Sequence, residues 1–425
     1  MSNTLKFGNG EWYGKEGTIL AYNDENNNYK PLLFDFDRAS SATRVNKDGL
    51  IETVSSNQPR VDYKDDSKGA LLLEPSRSNL LTYSEDFSDA SWTKFQTSIS
   101  VNEIISPDGT LNADKLISSN VDTNHPISSV LINGSSNNYS ASCYFKKGEY
   151  NYGFIRLITD SAANRYGVLI NLTNGVVENE YTTGSPSNTS YKVDKLKNGW
   201  YRLSLTSLNT SGTVQLSISA SNVSNPYVAG NIPYFLGDGT SGIYIWGAQL
   251  EEGSYATSYI PTQSSASTRA QDGCIQTPPS GIIGQTEGTL FADIYLNLAS
   301  SNIGFYTLQV YDSSFSPTYG KAVYLELYQG KVYGYVRNST VQCEILSGIY
   351  ADGQRLKMAL AYKSNDFALY VNGVQIGIDT SGSLPSVLNA VSLHYSAGSQ
   401  QASPLSQAQI YNTRLSNKEL QALTS

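Results

Sequence analysis

Along most of the chain, apolar residues return at every second position in short runs, and turn-forming residues separate the runs. In Tyr139–Phe145, Ala141, Cys143 and Phe145 share one face; in Tyr166–Leu172, Val168, Ile170 and Leu172 do, with Thr173-Asn174-Gly175 following as a hairpin loop. Tyr201, Leu203 and Leu205 alternate with Trp200, Arg202 and Ser204, and the period recurs at Val214, Leu216 and Ile218 and at Ile243 and Ile245. A period of two is that of a strand with one buried face. No long helical period interrupts it, so residues 82–262 read as a β-sandwich of jelly-roll type.

Residues 287–425 read as a second all-β domain with hairpins that can be placed. Gln329-Gly330 as a two-residue turn pairs Leu327 with Val332, Leu325 with Gly334 and Val323 with Val336 on one face. Glu326 with Tyr333, and Tyr324 with Tyr335, then face the other way. Asn372-Gly373 is the strongest hairpin signal and sets Leu369 and Val371 beside Ile376 and Val374. QAQIYNTRL reads as a closing strand, and Ser416 to Glu419 as a capping box opening a short helix with Leu420 and Leu423 inward.

The flanking pieces are smaller. Residues 1–33, with Trp12, Tyr13 and Ile19–Tyr22 strand-like, read as an arm that docks on another protein or as an extra strand on the first domain. Residues 34–81 read as a strand-rich collar: Asn46-Lys47-Asp48-Gly49 is a turn between extended runs, and Pro75 ends the apolar run Leu71–Leu73. Residues 263–286, rich in Ser, Thr, Gly and Pro, read as a linker. SASTR at 265–269 echoes SSATR at 40–44, which suggests that both ends of the first domain meet in one small sheet with Arg44 near Arg269.

Composition narrows the partners. The 425 residues carry 29 basic and 37 acidic side chains, a net charge of −8, which disfavours nucleic acid or an anionic membrane. Charged residues make up only 16%, and Ser, Thr, Asn and Gly fill the gap with hydroxyls and amides suited to neutral polyols. Cys143, Cys274 and Cys343 show neither disulfide nor zinc spacing. No apolar run reaches transmembrane length and the start is not that of a signal peptide, so no membrane insertion is expected.

The phrases RASSATRVNKDGLIE, NQPRVDY, LLLEPSRSNLL and YIWGAQLEEGSYATSYIPTQSSASTRAQD resemble a recurring module of bacteriophage virion proteins, namely tail-fibre and receptor-binding-type proteins carrying lectin-like jelly rolls. The C-terminal domain, with its final strand and LSNKELQAL, resembles concanavalin A-like or laminin-G-like lectins. The resemblance implies an all-β chain of tandem β-sandwich domains: a tail or head fibre, assembled in a host cytoplasm and carried on the virion. Such a protein would adhere to host-surface polysaccharide, contact other virion proteins through the N-terminal arm, and often be a homotrimer. A capsid or tail decoration protein and a polysaccharide depolymerase are the alternatives.

Catalytic chemistry has little to stand on. His125, in a polar loop, and His394, on a strand, are the two histidines, and neither belongs to a triad or cluster. Glu251 and Glu252 point to opposite faces of a strand; Asp35 and Asp37 share a face, beside Arg38. The chain is therefore expected not to be an enzyme, and no cofactor is expected. A structural calcium is conceivable at Asp35-Phe36-Asp37, Asp108-Gly109 or Gly237–Thr240, although none has the spacing of a calcium loop. Of 31 tyrosines, many are ordinary strand residues. Sugars present apolar faces and hydroxyl edges, so aromatic platforms beside polar groups are the binding candidates: Tyr324, Glu326, Tyr333 and Tyr335 in the second domain, Trp92 and Tyr144 in the first, with Tyr244 beside them. Trp200 and Trp246 fit core anchors better, and the tyrosine row fits burial between copies of the chain equally well.

Overall fold

The computed structural model describes residues 5–10, 12, 14–15, 18–25, 28–230, 232–278, 281–297, 305–315, 318–395 and 403–425. The fold is all-β, in two compact units that do not follow the order of the chain. One unit comprises Met1–Lys47, Thr53–Ser76 and Ala270–Ser425; the other comprises Asp48–Glu52 and Arg77–Arg269.

The first unit is a sandwich of antiparallel strands. One sheet runs from the edge strand Thr340–Ile349 through Lys331–Asn338, Lys321–Tyr328, Phe305–Tyr311, Ala390–Tyr395 and Gly273–Gln276 to Asn28–Asp37. The other runs from Val374–Asp379 through Phe367–Val371, Arg355–Lys363, Glu287–Tyr295 and Leu405–Tyr411 to Leu5–Gly8. Thr18–Glu25 pairs with both Asn28–Asp37 and Leu5–Gly8 and joins the sheets along one margin. Leu5, Phe7, Phe34, Phe36, Leu71 and Leu73 lie in one core with Leu290, Leu325, Val336, Leu360 and Ile410. Each such side chain contributes about 1.5–3 kcal/mol by leaving water. The helix Asn417–Thr424 carries the expected capping box, and Leu420 closes a second apolar cluster with Phe291, Ala359 and Ala368.

These pairings correct the sequence-based boundaries. Residues 1–33 are not a free arm and 34–81 not a separate collar, because Leu5–Gly8, Asn28–Asp37 and Ala70–Leu72 are strands of the sandwich that holds the C-terminus. The stretch 263–286 is not a plain linker: Ser267–Arg269 pairs with Arg77–Asn79, and Gly273–Gln276 lies between two strands of a sheet. The expected small sheet exists, but Arg269 enters it opposite Arg77, while the Arg44 strand Ala42–Val45 pairs with Ile51–Val54.

A buried ion cluster explains much of this closure. Arg38 donates to Asp272 at 3.0 Å, and Arg60 bridges Asp272 and Glu74, the latter at 2.8 Å. The Glu74 backbone N–H donates to Asp272 at 2.8 Å, and the Asp272 N–H donates to the Glu74 carbonyl at 3.0 Å. Arg38, Arg60, Glu74 and Asp272 come one each from the four sequence phrases quoted above. All four are buried, so removing one partner would strand a charge at a cost of about 3–5 kcal/mol.

The second unit is also a sandwich. One sheet has the order Trp92–Lys94, Ile127–Ser129, Thr213–Ser221, Tyr152–Thr159, Asn164–Asn171, Val177–Thr183; the other has Thr97–Ile105, Leu111–Ser118, Gly242–Glu252, Asn137–Lys146, Trp200–Asn209, Ser190–Lys195. Cys143, Phe145, Val168, Ile170, Leu203, Leu205, Leu216 and Ile218 meet in the core, as their alternation predicts. The segment after Gly242–Glu252 straps back on that strand: Glu251 accepts from Thr257 N at 2.9 Å, Gln249 from Ile260 N at 2.7 Å, and Arg202 donates to the Thr257 carbonyl at 2.7 Å.

Candidate functional site

The Gln329-Gly330 hairpin has the expected register: Tyr324 opposite Tyr335, Glu326 opposite Tyr333, and Val323, Leu325 and Leu327 turned into the core. Gln329 and Gly330 both take positive φ, 49° and 70°, the geometry that matches the twist of the flanking strands. The turn therefore brings the polar-face residues into one row on the outside of the sheet. Tyr333 and Tyr335 stand parallel, their centroids 5.6 Å apart and their planes within 1°. Tyr324 adjoins Tyr335 at 5.1 Å, and Tyr328 adjoins Tyr333 at 6.2 Å.

The row is electrostatically uneven. Tyr335 Oη donates to Glu344 Oε1 at 3.0 Å, and burial with that carboxylate pushes the phenol up. Glu326, half-buried among Tyr324, Tyr328 and Tyr333, makes no hydrogen bond or ion pair among the described residues. Burial pushes its carboxyl up to about 7; Arg337 opposes the shift and Glu344 adds to it. A half-dry carboxylate without a donor, beside parallel aromatic rings, is equipped to accept hydrogen bonds from a polyhydroxylated ligand. Tyr324 is a correction: it belongs to the row but is only 3% exposed, so it supports Tyr335 rather than meeting a ligand.

The first-domain candidates are also corrected. Trp92 is buried on Phe87, with its indole N–H donating to the Tyr83 carbonyl at 2.9 Å. Tyr144 is buried between Trp246 and Tyr259, with the Arg202 guanidinium 5.3 Å above its ring. Both serve the core, as do Trp200 and Trp246. Tyr244 is half-buried. An exposed aromatic pair that the alternation did not reveal is Tyr227, 72% exposed, edge-on to Tyr234 at 5.7 Å. Tyr227 follows Asn225-Pro226, a turn signal rather than a strand period.

His125, Glu251 and Glu252 have structural roles, and the His394 side chain lies outside the described residues. His125 is buried, its two ring nitrogens meeting the carbonyls of Gln96 and Phe235. His394 lies on the strand Ala390–Tyr395, and its side chain is outside the described residues. Glu251 is tied to Thr257, and Glu252 accepts from Asn137 at 2.8 Å. Asp35 and Asp37 are exposed. Asp108 and Asp238 spend their oxygens on the local turns Asp108–Thr110 and Asp238–Ser241. Among the described residues, no group of three or more His, Cys, Asp or Glu side chains is placed to hold a metal ion, and no helix is long and apolar enough to cross a membrane.

No family model and no curated protein matches this sequence. Several solved structures are similar to it. The carbohydrate-binding module CBM40 of a Ruminococcus gnavus IT-sialidase, solved with α2,3-sialyllactose, aligns over 33% of this chain and 84% of its own, at 18% identity and a TM-score of 0.30. Domains LG4-5 of the mouse laminin α1 chain align over 83% and 90%, at 9% identity and a TM-score of 0.23. Trypanosoma rangeli sialidase aligns over 96% and 81%, at 10% identity and a TM-score of 0.28.

Proposed function

We propose that the chain is a non-enzymatic glycan-binding protein that adheres to host-surface polysaccharide as part of a bacteriophage tail or head fibre. The observation that carries the binding reading is the parallel Tyr333–Tyr335 pair beside the unpartnered Glu326 carboxylate. The virion assignment is supported by the sequence phrases that supply the buried cluster of Arg38, Arg60, Glu74 and Asp272. The absence of catalysis is supported by the structural engagement of His125, Glu251 and Glu252. Single shallow sugar sites bind weakly, so the working mechanism is avidity: a homotrimer or larger assembly raises the effective affinity by roughly two to four orders of magnitude.

A purely structural role as a decoration protein is favoured by one feature. The edge strand Thr340–Ile349, next to the tyrosine row, exposes Val341, Leu346 and Ile349. A second copy seated there would cover the row.

The test is a glycan-array and host-cell binding assay on the native oligomer, with a Tyr333→Ala/Tyr335→Ala variant beside it. Binding by the wild type and its loss in the variant is the expected result. Binding retained in the variant moves the site, with Tyr227 and Tyr234 next in line. No binding by the wild type favours the structural role.

A further inference from the structure

The tyrosine row carries charge as well as rings. Strand register sets Glu326 opposite Tyr333 and Glu344 opposite Tyr335, so a carboxylate flanks each ring, on opposite sides of the strand Lys331–Asn338. Glu344 stands on the edge strand Thr340–Ile349 and is exposed, while Tyr333 and Tyr335 are half-buried. A ligand can therefore reach the pair from the Glu344 side. Burial, and then Glu326 and Glu344, push the phenols of Tyr333 and Tyr335 up, so both acids lie within electrostatic reach of both rings.

The basic side chains of this face stand at its two ends. Lys331 is opposite Tyr328 and Ile349 beside the hairpin turn, and Arg337 is opposite Ala322 and Val341. The Arg337 guanidinium lies 5.7 Å from the Tyr319 ring centroid, and its charge opposes the burial of Glu326 without cancelling it. In register, the middle of the face is Tyr324, Tyr335 and Glu344, followed by Glu326, Tyr333 and Leu346, with two acids and no base. Aromatic rings attract cations through their quadrupole, and carboxylates bind charged donors more strongly than neutral ones. A carboxylate offers about four lone-pair sites, so the bond from Tyr335 Oη to Glu344 Oε1, at 3.0 Å, leaves room for an incoming donor. A sugar carboxylate would be repelled by both acids, whereas a protonated amine is attracted by acids and rings alike.

We propose that the row selects an amino sugar, whose ammonium group lies at the Tyr333–Tyr335 pair and donates to Glu344, with Glu326 adding its charge. The assignment rests on the row being a glycan site and names the class of sugar it takes. Leu346, 47% exposed opposite Tyr333, extends the apolar surface for the C–H face of the sugar ring.

The test is calorimetric titration of the full chain at pH 7 with three disaccharides on one β-1,4-linked frame: chitobiose with free amines, N,N′-diacetylchitobiose and cellobiose. They differ only at the second carbon of each ring, which bears ammonium, acetamide or hydroxyl. The amine is expected to bind about tenfold tighter than either neutral sugar and to weaken with added salt. Glu344→Gln keeps an acceptor oxygen but removes the charge, and is expected to erase most of that preference; Glu326→Gln is expected to reduce it. An unchanged melting temperature at pH 7 verifies the folding of Glu344→Gln. Amine and acetamide bound equally, no binding of the amine, or a preference unchanged in both variants would overturn the proposal. Neutral sugars bound as tightly as the amine, and lost in Tyr333→Ala/Tyr335→Ala, would remove the charge selection and leave the row a glycan site. Amine binding unchanged in that tyrosine variant would remove the row itself.

Discussion

Glu326 shows how one residue couples the candidate site to stability. Its carboxyl is raised from 4.5 to about 7, chiefly by burial, so the folded state holds a proton that the unfolded chain has released across that window. The folded form then binds more protons than the unfolded one, and this group's contribution to stability falls as pH rises from about 4.5 to 7. Glu326→Gln should therefore be more stable than the wild type at pH 8, with the difference vanishing below about pH 5. Urea melts of both proteins at the two pH values check this. A ligand that donates to the carboxylate relieves the same cost, which is why an isolated acceptor in an aromatic row points outward to a partner.

The hairpins are where local chemistry speaks most directly. Asn372 and Gly373 take φ of 49° and 77°, the pair of positive values that a two-residue turn demands. Val371 faces Val374 as expected, but a bulge between Leu369 and Tyr370 moves Leu369 opposite Gly377 instead of Ile376. Turn residues thus set register at the loop, and a single extra residue further along resets it. Gly373→Ala places a Cβ in the left-handed region and should cost about 1–2 kcal/mol, read as a lowered urea midpoint with an unchanged slope.

Across the whole molecule, the unit that carries the tyrosine row is built from both ends of the chain. Leu5, Phe7, Phe34 and Phe36 complete its core, and Asp272 is held by arginines more than two hundred positions earlier. A fragment spanning 287–425, the domain suggested by the run of hairpins, would lack those strands and leave Leu393 and Ile410 on unpaired edges. Such a fragment should show no cooperative thermal transition, whereas the full chain should; circular dichroism melts of the two provide the comparison.

Strands, hairpin turns and the helix cap were legible in the residues, because a period of two, an Asn-Gly pair and a Ser-x-x-Glu spacing act through backbone geometry within a few positions. That local reach also placed Glu326, Tyr333 and Tyr335 on one outward face. Covering was another matter. Trp92, Tyr144 and Tyr324 carry the same chemistry as exposed aromatics, and only the elements packed on them make them core or support. Likewise, nothing near Arg38 announces Asp272. Burial and ion pairing depend on segments far apart in the chain, and their meeting is set by packing rather than by any local period.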